Sequence, residues 1–409
     1  MRLLHFADAH IDIANYGRQD PASGLPLRVL DFLRALDQIV ETAIQEKVDL
    51  VLFAGDAYKD RAPSPTFQRE WGSRIVRLSQ ARIPTLLLVG NHDLSPAFGR
   101  AHAVQEFDTL QVPYVRVLAK PQFLSSADLW DLPLQVIALP WITRSNLVAL
   151  YDLHGEALLE VKTKLEERIH DLVQDWLERA DPTLPTVLLA HASVQGATYG
   201  SERSIMLGND LVLSQALVKD PRLDYVALGH IHKAQNLNEG GHPPVVYPGS
   251  IERVDFGEAE EEKYFVLAEV EKGKTRLEWR KIEGTRRFID RFVRIDSNEK
   301  VMTAILEALP SEQMEEAIVR LTVEYPRELE PLIDEALIRR HCRQAFELHF
   351  IRKPIHPSRI RLPQDQSIAG LSPLDLLEQY WRSLHMEEEQ IVALKTLALE
   401  VLSSEEDES

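Results

Sequence analysis

Apolar residues along the chain follow two patterns, and together these predict alternating strands and helices. Five short runs of apolar, β-prone residues predict strands buried on both faces, and they cover residues 3–7, 50–54, 85–89, 186–190 and 225–228. Residues 27–47 carry apolar side chains at helical spacing, which predicts an amphipathic helix between the first two strands. A second long helical pattern covers residues 155–180. The alternation predicts an α/β fold.

The pattern changes towards the C-terminus. Strand patterns at 244–248, 264–270 and 275–282 indicate antiparallel additions, so we expect two packed sheets with helices outside, an α/β/β/α sandwich. From Phe288 short strands and helices alternate, which predicts a small α+β domain. Its strands are expected at 292–295, 317–323 and 346–351, and its helices at 299–309 and 329–341. A polar link and two C-terminal helices follow. The predicted domains are residues 1–283, 284–361 and 362–409.

Each of the five strand patterns ends in a motif that contains histidine, aspartate or asparagine. The motifs are Asp8-Ala9-His10, Gly55-Asp56, Gly90-Asn91-His92-Asp93, His191 and Gly229-His230-Ile231-His232. Open sheets bind ligands beyond the carboxyl ends of their strands. In an extended segment the side chains at i and i+2 point the same way, so Asp8 with His10, and His230 with His232, can each aim two ligands at one target. Glycine before three of the motif residues is expected to let the backbone turn sharply where the strand ends.

The residue types indicate a pair of metal ions. Imidazole and carboxylate ligands suit manganese, iron or zinc, and two such ions roughly 3.5–4 Å apart form a clamp for in-line attack on phosphorus. Singly the motifs are weak, because Gly-Asp is a common turn dipeptide and a lone His191 is more often a core residue. The ordered set, with each member at a strand end, predicts a two-metal phosphoesterase.

The ordered set resembles the calcineurin-like metallophosphoesterase superfamily and, within it, the SbcD-type nucleases, which are the nuclease subunits of bacterial SbcC–SbcD DNA-break-processing complexes. Two further segments match that family: Arg61-Ala62-Pro63-Ser64-Pro65 and Tyr247-Pro248-Gly249-Ser250-Ile251-Glu252-Arg253. The resemblance is close over residues 1–282, looser over the α+β domain, and limited to the pattern in the C-terminal helices. It implies a metallophosphoesterase sandwich, an α+β domain that caps the cleft and holds duplex DNA, and a metal-dependent DNA exonuclease and endonuclease.

The resemblance also implies a role for each motif residue. The metal ligands would be Asp8, His10 and His232 for one ion, Asn91, His191 and His230 for the other, and Asp56 for both. His92 would face the substrate, stabilising the phosphorane or protonating the leaving oxygen, and Asp93 would orient its ring. The nucleophile would be a water whose pKa the metals lower toward neutrality. Manganese is the expected metal.

Two positions depart from the family pattern. Three residues after the bridging aspartate, related archaeal nucleases carry histidine and many bacterial ones an acidic residue, whereas this chain has Lys59. A lysine there either contacts phosphate as a point charge or is merely solvated. After the first motif, Ile11-Asp12 replaces the usual apolar residue and glycine, which is expected to alter the loop rather than the ligands.

Charge is the main argument against a DNA substrate, because the formal net charge is −18. The charge is unevenly spread, however: residues 276–361 hold 17 Lys and Arg against 15 Asp and Glu, and acidic runs lie at 258–262 and 405–408. Within the basic segment we single out Arg339, Arg340 and Arg343 as candidate DNA contacts, with a solvated surface as the alternative. Metal ions would also offset the site carboxylates.

Composition otherwise indicates an ordinary globular protein. The single cysteine, Cys342, excludes an intramolecular disulfide framework, fits a reducing cytoplasm and is best interpreted as a small core residue. Met1 leads directly into the first strand, so no removable signal peptide is expected. No apolar run approaches the length of a membrane span. We therefore expect a cytoplasmic enzyme that does not bind membranes.

The two C-terminal helices have an apolar stripe and too little core to fold alone. Ser372 can cap the first helix, with Pro373 at its opening position, and the second is expected from about Met386. The stripe comprises Leu374, Leu377, Trp381, Leu384, Ile391 and Leu394. Either it packs on its own nuclease domain or it binds a partner, and the resemblance implies an SbcC-like coiled-coil ATPase within a heterotetramer that contains a homodimer of this chain.

Two other functions compete with a nuclease that acts on DNA ends and hairpins. One is a calcineurin-like phosphoesterase for nucleotides or phosphoproteins. Protein phosphatases of this type carry Gly-Asp-x-x-Asp-Arg-Gly, whereas the segment from Gly55 to Ala62 has one residue too many and no final glycine. The other is a non-catalytic DNA-binding scaffold, which predicts missing ligands; none of the seven is missing.

Overall fold

The computed structural model describes residues 1–15, 18–94, 100–142, 158–200, 212–309, 314–355, 372–383 and 386–406. Its strands, in chain order, are β1 (Arg2–Phe6), β2 (Leu50–Phe53), β3 (Thr85–Leu88), β4 (Val115–Leu118), β5 (Gln122–Leu124), β6 (Gln135–Leu139), β7 (Thr186–His191), β8 (Ser193–Val194), β9 (Val212–Leu213), β10 (Tyr225–Gly229), β11 (Gln235–Asn236), β12 (Val245–Tyr247), β13 (Tyr264–Glu271), β14 (Lys274–Lys281), β15 (Phe288–Arg294), β16 (Ile318–Pro326) and β17 (Glu347–Ile355).

The helices, in the same order, are α1 (Leu27–Gln45), α2 (Pro65–Gln80), α3 (Glu106–Thr109), α4 (Leu158–Arg179), α5 (Gln215–Val218), α6 (Val301–Glu307), α7 (Glu335–His341), α8 (Pro373–Ser383) and α9 (Glu388–Glu406). Short 3-10 turns cover Ser126–Leu129, Phe256–Glu258 and Arg327–Leu332. None of the described helices is long and apolar enough to cross a membrane.

The chain forms two compact units. The first comprises Met1–Asp290 with Gln313–Arg320 and Ala345–Glu347, and the second comprises Arg291–Glu312, Leu321–Gln344 and Leu348–Ser409. The three-domain division predicted from the sequence stays a prediction.

Two six-stranded sheets build the first unit. One has the order β14-β13-β1-β2-β3-β4, in which β1 to β4 are parallel and β13 and β14 are antiparallel additions. The other has the order β11-β12-β10-β7-β6-β5, in which the four central strands are parallel and the two edge strands antiparallel. The predicted antiparallel additions are confirmed for β13 and β14. The strand predicted at 244–248 is β12, which is parallel to β10, so the expectation that it would be antiparallel was wrong there.

Three apolar layers show how the sheets and helices stack. One layer lies between the first sheet and helices α1 and α2, and includes Phe6, Phe32 and Trp71. The middle layer joins the inner faces of the two sheets. The third lies between the second sheet and α4, and includes Val173 and Leu188. Alternate residues of a strand point to opposite faces of the sheet, so they pack in different layers. The α/β/β/α sandwich predicted from the sequence is thus confirmed.

The α+β segment follows its predicted pattern with one difference. Strands β15, β16 and β17 form a sheet in that order, and α6 lies within the predicted helix at 299–309. The helix predicted at 329–341 is instead a 3-10 turn followed by α7. Pro331 explains the break, because proline has no amide hydrogen to donate and its ring clashes with the preceding helical turn. Cys342 is buried, as expected.

The C-terminal helices form a pair. The predicted cap of α8 is confirmed, because the Ser372 hydroxyl accepts from the Asp375 amide at 3.2 Å while the Asp375 carboxylate accepts from the Ser372 amide at 3.0 Å. Helix α9 begins at Glu388, two residues after the expected start, and contacts α8. Lys395 Nζ donates to Glu378 across this contact at 2.5 Å.

His5 joins the two sheets through polar contacts in an otherwise apolar layer. Its Nδ1 lies 2.8 Å from the Tyr225 hydroxyl and its Nε2 lies 3.2 Å from the Leu228 carbonyl, both in β10. Burial lowers the pKa of this ring to about 3, although the Leu228 carbonyl partly opposes the shift. His5 therefore stays neutral in the folded protein.

This pKa shift predicts acid sensitivity. His5 takes up a proton more readily in the unfolded chain than in the folded protein. The contribution of the neutral ring to the free energy of unfolding is therefore complete above pH 6.5 and decreases as the pH falls towards 3. A pKa shift of one unit corresponds to roughly 1.4 kcal/mol. Between pH 6.5 and 4, we therefore expect the free energy of unfolding to fall by about 2–3 kcal/mol more in the parent than in His5→Gln. Urea unfolding at several pH values measures this, with His170→Gln on α4 as control. Equal pH slopes for the parent and His5→Gln would contradict the assignment.

Candidate metal centre

Five parallel strands from both sheets end at one place. Strands β1, β2 and β3 come from the first sheet and β7 and β10 from the second. The residues that follow or end these strands include all seven ligands predicted from the sequence, which are Asp8, His10, Asp56, Asn91, His191, His230 and His232. The structure brings all seven into one cluster, as the following distances show.

Asp8, His10 and His232 form the first ligand group. Each offers one ligand atom, these atoms lie within 4.8 Å of one another, and all three residues are buried. The closest pair is His10 Nε2 and His232 Nε2, at 3.1 Å. Two imidazole nitrogens so close, with a carboxylate beside them, converge on one point as ligands of a single cation do.

A second group gathers around Asn91. Its side-chain oxygen lies 2.9 Å from His191 Nε2 and 2.9 Å from His230 Nδ1. Asp8, Asp56 and His191 also have ligand atoms within 4.8 Å of one another, so the two groups adjoin. Asp8 therefore belongs to both clusters, and the division of the ligands between two ions stays a prediction.

Asp56 lies between the two groups. Its Oδ2 is 3.9 Å from His10 Nε2 and 3.4 Å from His191 Nε2. Its Oδ1 accepts a hydrogen bond of 2.8 Å from the His92 amide. One carboxylate oxygen therefore faces both ligand groups, which is the placement that a bridging ligand needs.

The backbone at the cluster is not extended, contrary to the expectation for Asp8 and His10. Asp8 (φ 49°), His10 (φ 41°), Asp56 (φ 64°) and His230 (φ 97°) all lie in the left-handed region. Such conformations are unfavourable for residues with a Cβ and persist at functional sites when the surrounding structure holds them. The i, i+2 explanation was therefore wrong: β1 ends at Phe6, and His230 and His232 point to different ligand groups.

Glycine has two different roles here. Gly55 has φ +100°, so it does provide the expected turn. Gly90 and Gly229 provide space instead. A Cβ on Gly90 would lie 2.1 Å from Asp56 Oδ1, and one on Gly229 would lie 2.2 Å from the Ala54 carbonyl oxygen. Both positions exclude any side chain because neighbouring strand ends pass too closely.

The prediction that Asp93 orients the ring of His92 was wrong. The buried Asp93 carboxylate accepts backbone N–H groups from Asp56 at 2.9 Å, Ala57 at 2.9 Å and Gly90 at 2.8 Å. The His92 ring instead places Nδ1 at 2.8 Å from the Lys59 carbonyl. Asp93 thus fixes the turn that carries Asp56, and it acts on the ligand rather than on the histidine.

The ligand histidines are oriented through their second nitrogen. His10 Nδ1 lies 3.1 Å from the Tyr58 carbonyl, and His191 Nδ1 lies 2.6 Å from the Ala54 carbonyl. His232 Nδ1 lies 2.8 Å from the Glu258 carboxylate. Since a carbonyl can only accept, the first two rings present Nε2 to the cluster when neutral.

Glu258 is a candidate site residue that the sequence patterns did not indicate. It belongs to an acidic run that reads as solvated, yet it is fully buried and also contacts the Ser250 hydroxyl at 3.1 Å and the Lys263 ammonium at 2.6 Å. Burial opposes ionisation, but Lys263 and His232 outweigh it and lower the pKa of Glu258 far below its usual range. Only the tertiary partners distinguish this glutamate from its neighbours.

Electrostatics favour a cation in the cluster. Burial raises the pKa of Asp8 to about 6, while His232 and His191 oppose that shift. Burial also disfavours a charged His191, but Asp56 and Asp8 outweigh it and raise its pKa to about 9. Buried carboxylates that favour protonation of neighbouring rings have too little positive charge beside them, and a bound cation would supply it.

The donor set fits two divalent metal ions. It combines carboxylate oxygens, imidazole nitrogens and one amide oxygen in two adjoining groups that share Asp56, and the rings are held by hydrogen bonds outside the cluster. Such ligands suit manganese, iron or zinc. We infer the metals from this donor chemistry.

The other predicted site residues lie in the second unit. Arg339 is exposed and forms an ion pair with Glu335 at 2.7 Å. Arg340 and Arg343 line a surface pocket of about 380 Å³. On the C-terminal pair, Ile391 is only 2% exposed, whereas Leu374, Leu377, Trp381 and Leu394 are partly buried and Leu384 lies outside the described residues.

Comparison with known proteins agrees with this geometry. The family model for calcineurin-like phosphoesterases matches residues 1–234. The chain belongs to this family. It is 30% identical over 284 residues to SbcD of the nuclease SbcCD from Escherichia coli (strain K12), and the match covers 67% of this chain and 66% of the relative. SbcD of Rhodobacter capsulatus is also 30% identical, over 256 residues, covering 59% of this chain and 60% of the relative.

A more distant relative is the DNA double-strand break repair protein Mre11 of Archaeoglobus fulgidus, which is 26% identical over 260 residues and covers 63% of this chain and 52% of the relative. The matches thus span between about half and two thirds of the length of these relatives. The resemblance to SbcD-type nucleases seen in the sequence is confirmed.

Removing the Glu258 charge is expected to weaken metal binding. Partners that orient a ligand histidine typically change metal affinity about 10–100-fold, so Glu258→Gln is expected to weaken manganese binding by that factor, measured by calorimetric titration. Glu261→Gln is the matched control, because Glu261 also pairs with Lys263 but makes no described contact with His232.

A folding defect is a separate outcome, since Glu258→Gln leaves Lys263 buried beside a neutral partner. The double variant Glu258→Gln, Lys263→Met removes both buried charges and keeps the test valid. Unchanged manganese affinity in that folded double variant would contradict the role of Glu258.

Proposed function

We propose that the chain is a two-metal-dependent DNA nuclease that hydrolyses phosphodiester bonds. The observation that carries the proposal is the convergence of seven ligand side chains, in two groups joined by Asp56, at the carboxyl ends of five strands. The similarity to SbcD and Mre11 proteins supports DNA as the substrate. We extend the proposal to DNA ends and hairpins, to manganese as the metal, and to the cytoplasm as the location.

In this proposal the ligand residues determine where the phosphodiester binds. When bound, two divalent cations stabilise negative charge on a phosphoryl group and lower the pKa of water toward neutrality. Asp56 and Asp8 hold the positive charge in place, and Asn91 contributes an oxygen without adding negative charge. The net charge of the centre therefore stays favourable for an anionic substrate.

His92 is proposed to act on the reacting phosphate. Its ring is partly exposed, lies edge-on to the His10 ring with centroids 5.3 Å apart, and is held at Nδ1 by the Lys59 carbonyl. Burial lowers its pKa, Asp56 raises it and Lys59 lowers it further. A neutral ring that donates Nδ1–H to this carbonyl presents an unprotonated Nε2. In the proposed reaction Nε2 would accept the proton that the attacking water releases, and the resulting imidazolium would stabilise phosphorane charge and pass the proton to the leaving oxygen.

Two substitutions separate metal binding from turnover. We expect Asp56→Ala to lose both metals and all activity, because one carboxylate oxygen faces both ligand groups. We expect His92→Gln to keep the metals but to lose about 10²–10⁴-fold in turnover, which is the usual range for a general acid or base. Elemental analysis and hydrolysis of linear duplex DNA measure the two effects. Metal loss from His92→Gln, or no DNA hydrolysis by the parent with manganese, would contradict the proposal.

DNA contacts are proposed for Arg339, Arg340 and Arg343. Arg340 and Arg343 are exposed and line one pocket, so both can reach a phosphate, whereas the pairing of Arg339 with Glu335 reduces its contribution. Each phosphate contact strengthens binding and makes it more sensitive to salt. This cluster remains compatible with a net charge of −18, because binding depends on the local charge.

We further propose that the C-terminal helix pair binds an SbcC-like coiled-coil ATPase, in a heterotetramer that contains two copies of this chain. The predicted stripe is Leu374, Leu377, Trp381, Leu384, Ile391 and Leu394. Ile391 is buried, whereas the apolar residues Val392, Leu397 and Leu399 are exposed and add to the available surface. An apolar helical face of this kind suits a coiled-coil partner.

Deletion and substitution test this docking. Truncation after Ala369 is expected to leave hydrolysis of a small phosphodiester but to abolish ATP-stimulated processing of DNA ends. Trp381→Ala is expected to weaken ATPase binding about thirtyfold, the effect of losing about 2 kcal/mol. Leu397→Asp, at an exposed position, is expected to weaken binding without lowering the melting temperature. A truncated chain that melts several degrees earlier and still co-purifies with the ATPase would contradict docking.

A further inference from the structure

A cleft adjoins the metal centre on the side of His92. It has a volume of about 1150 Å³, and its lining includes His92, Asp12, Lys59, Arg61 and Arg100. Pockets for drug-sized molecules measure about 300–1,000 Å³, so this cleft is larger than one phosphoryl group requires. The space beside the reacting position can therefore hold several linked units of a polymer.

Asp12 builds one wall of this cleft. Its Oδ1 accepts the Lys59 amide at 2.5 Å and its Oδ2 accepts the Asp60 amide at 2.8 Å. The Lys59 carbonyl in turn accepts from His92 Nδ1 at 2.8 Å. Asp12 and Lys59 are the two departures from the family pattern, and the structure joins them in one turn that also holds His92.

Three basic residues that line the cleft are accessible to solvent. Lys59 is partly exposed, Arg61 and Arg100 are exposed, and among the described residues no carboxylate lies within ion-pair distance of the Lys59 ammonium. The cleft also contains acidic residues, but their carboxylates accept backbone N–H groups: Asp12 as above, Asp60 from Ala62 at 3.0 Å and Asp255 from Gly257 at 2.7 Å. The lysine and the two arginines thus remain available to an anion.

We propose that Lys59 binds a phosphate that flanks the reacting one on a nucleic-acid strand, with Arg61 and Arg100 continuing the path and Asp12 as the positioning residue for the turn. This inference rests on the proposed nuclease function. The Lys59 carbonyl lies 2.8 Å from His92 Nδ1 and Lys59 lines the cleft, so the residue lies beside the ring that is proposed to act on the reacting phosphate. Lysine suits this task because a point charge tolerates varied phosphate orientations.

The test compares a DNA duplex with a small chromogenic phosphodiester, which has no flanking phosphate. Lys59→Met removes the charge and keeps the length of the side chain. We expect its KM for DNA to rise about tenfold and the slope of log affinity against log salt to fall by about 0.9, the value for one phosphate contact. The ratio of DNA to small-diester kcat/KM is expected to fall about tenfold. Lys59→Arg is expected to restore most of the loss, and Lys274→Met, on exposed β14, is the matched control.

Anisotropy of a labelled duplex under manganese-free conditions provides a readout independent of turnover. If the parent binds duplex but cleaves only the small diester, the nuclease proposal fails while the Lys59 comparison still stands. Unchanged duplex affinity and salt slope in Lys59→Met would overturn the inference. An equal loss of kcat on both substrates would also overturn it, because Lys59 would then act at the reacting phosphate.

Asp12 is tested through the same two substrates. Asp12→Ala releases the turn, so we expect both a higher KM for DNA and a lower kcat on the small diester, since His92 loses a fixed partner. Asp12→Asn retains an acceptor oxygen and is expected to recover part of both losses. A merely structural role predicts instead a lower melting temperature with KM unchanged, and that result would overturn the assignment of Asp12.

Discussion

The two sheets approach each other so closely at their carboxyl ends that key positions have no room for a side chain. A Cβ on Gly229 of the second sheet would collide with the Ala54 carbonyl of the first, and one on Gly55 would lie 2.4 Å from His191 Nδ1. This contact sets the distance between strand ends from different sheets. Because the ligands follow those ends, the same contact brings imidazoles from one sheet to carboxylates from the other. The metal centre depends on it more than on any single ligand.

The close approach of the two sheets buries ionisable groups, so neighbouring groups must supply their hydrogen bonds and opposite charges. Backbone carbonyls of Tyr58 and Ala54 hold two of the ligand rings, and the buried Glu258–Lys263 pair holds a third. A buried pair of this kind adds little net stability, because desolvation offsets the attraction. The pair is important instead for its position beside His232, because Glu258 fixes the orientation of that ring. The left-handed conformations at Asp8 and Asp56 are sustained in the same way, by bonds such as those that Asp93 accepts.

Local pattern predicted the elements and the ligands, whereas contacts distant in the chain decided the rest. Apolar runs and motif order were sufficient for the α/β/β/α sandwich and for the motifs that meet, because strand periodicity and ligand chemistry both depend on short segments. The family resemblance was needed to select the seven candidate ligands among the motif residues. The reason why Asp8 and His10 meet could not be predicted from the sequence, since it depends on left-handed residues whose amides donate to the carbonyls of Gly55 and Asp56, after β2. Asp93 was assigned to its sequence neighbour, although two of its three partners lie 36 and 37 residues away. Glu258 looked solvated because nothing local distinguishes it from the acidic residues that follow.

The two departures from the family pattern, Asp12 and Lys59, are joined in one turn of the structure. In sequence, Asp12 and Lys59 are separate substitutions: the first is expected only to alter a loop, and the second either contacts phosphate or is solvated. In the structure the Asp12 carboxylate holds the Lys59 and Asp60 amides, and the Lys59 carbonyl holds His92. A glycine at position 12 could not supply those bonds, so the turn that carries Lys59 needs the aspartate. The two residues therefore form one unit, in which the aspartate fixes the backbone and the lysine supplies the charge. Because His92 is held by the same turn, a change in how the cleft binds its substrate also changes the orientation of the ring proposed to act on the reacting phosphate.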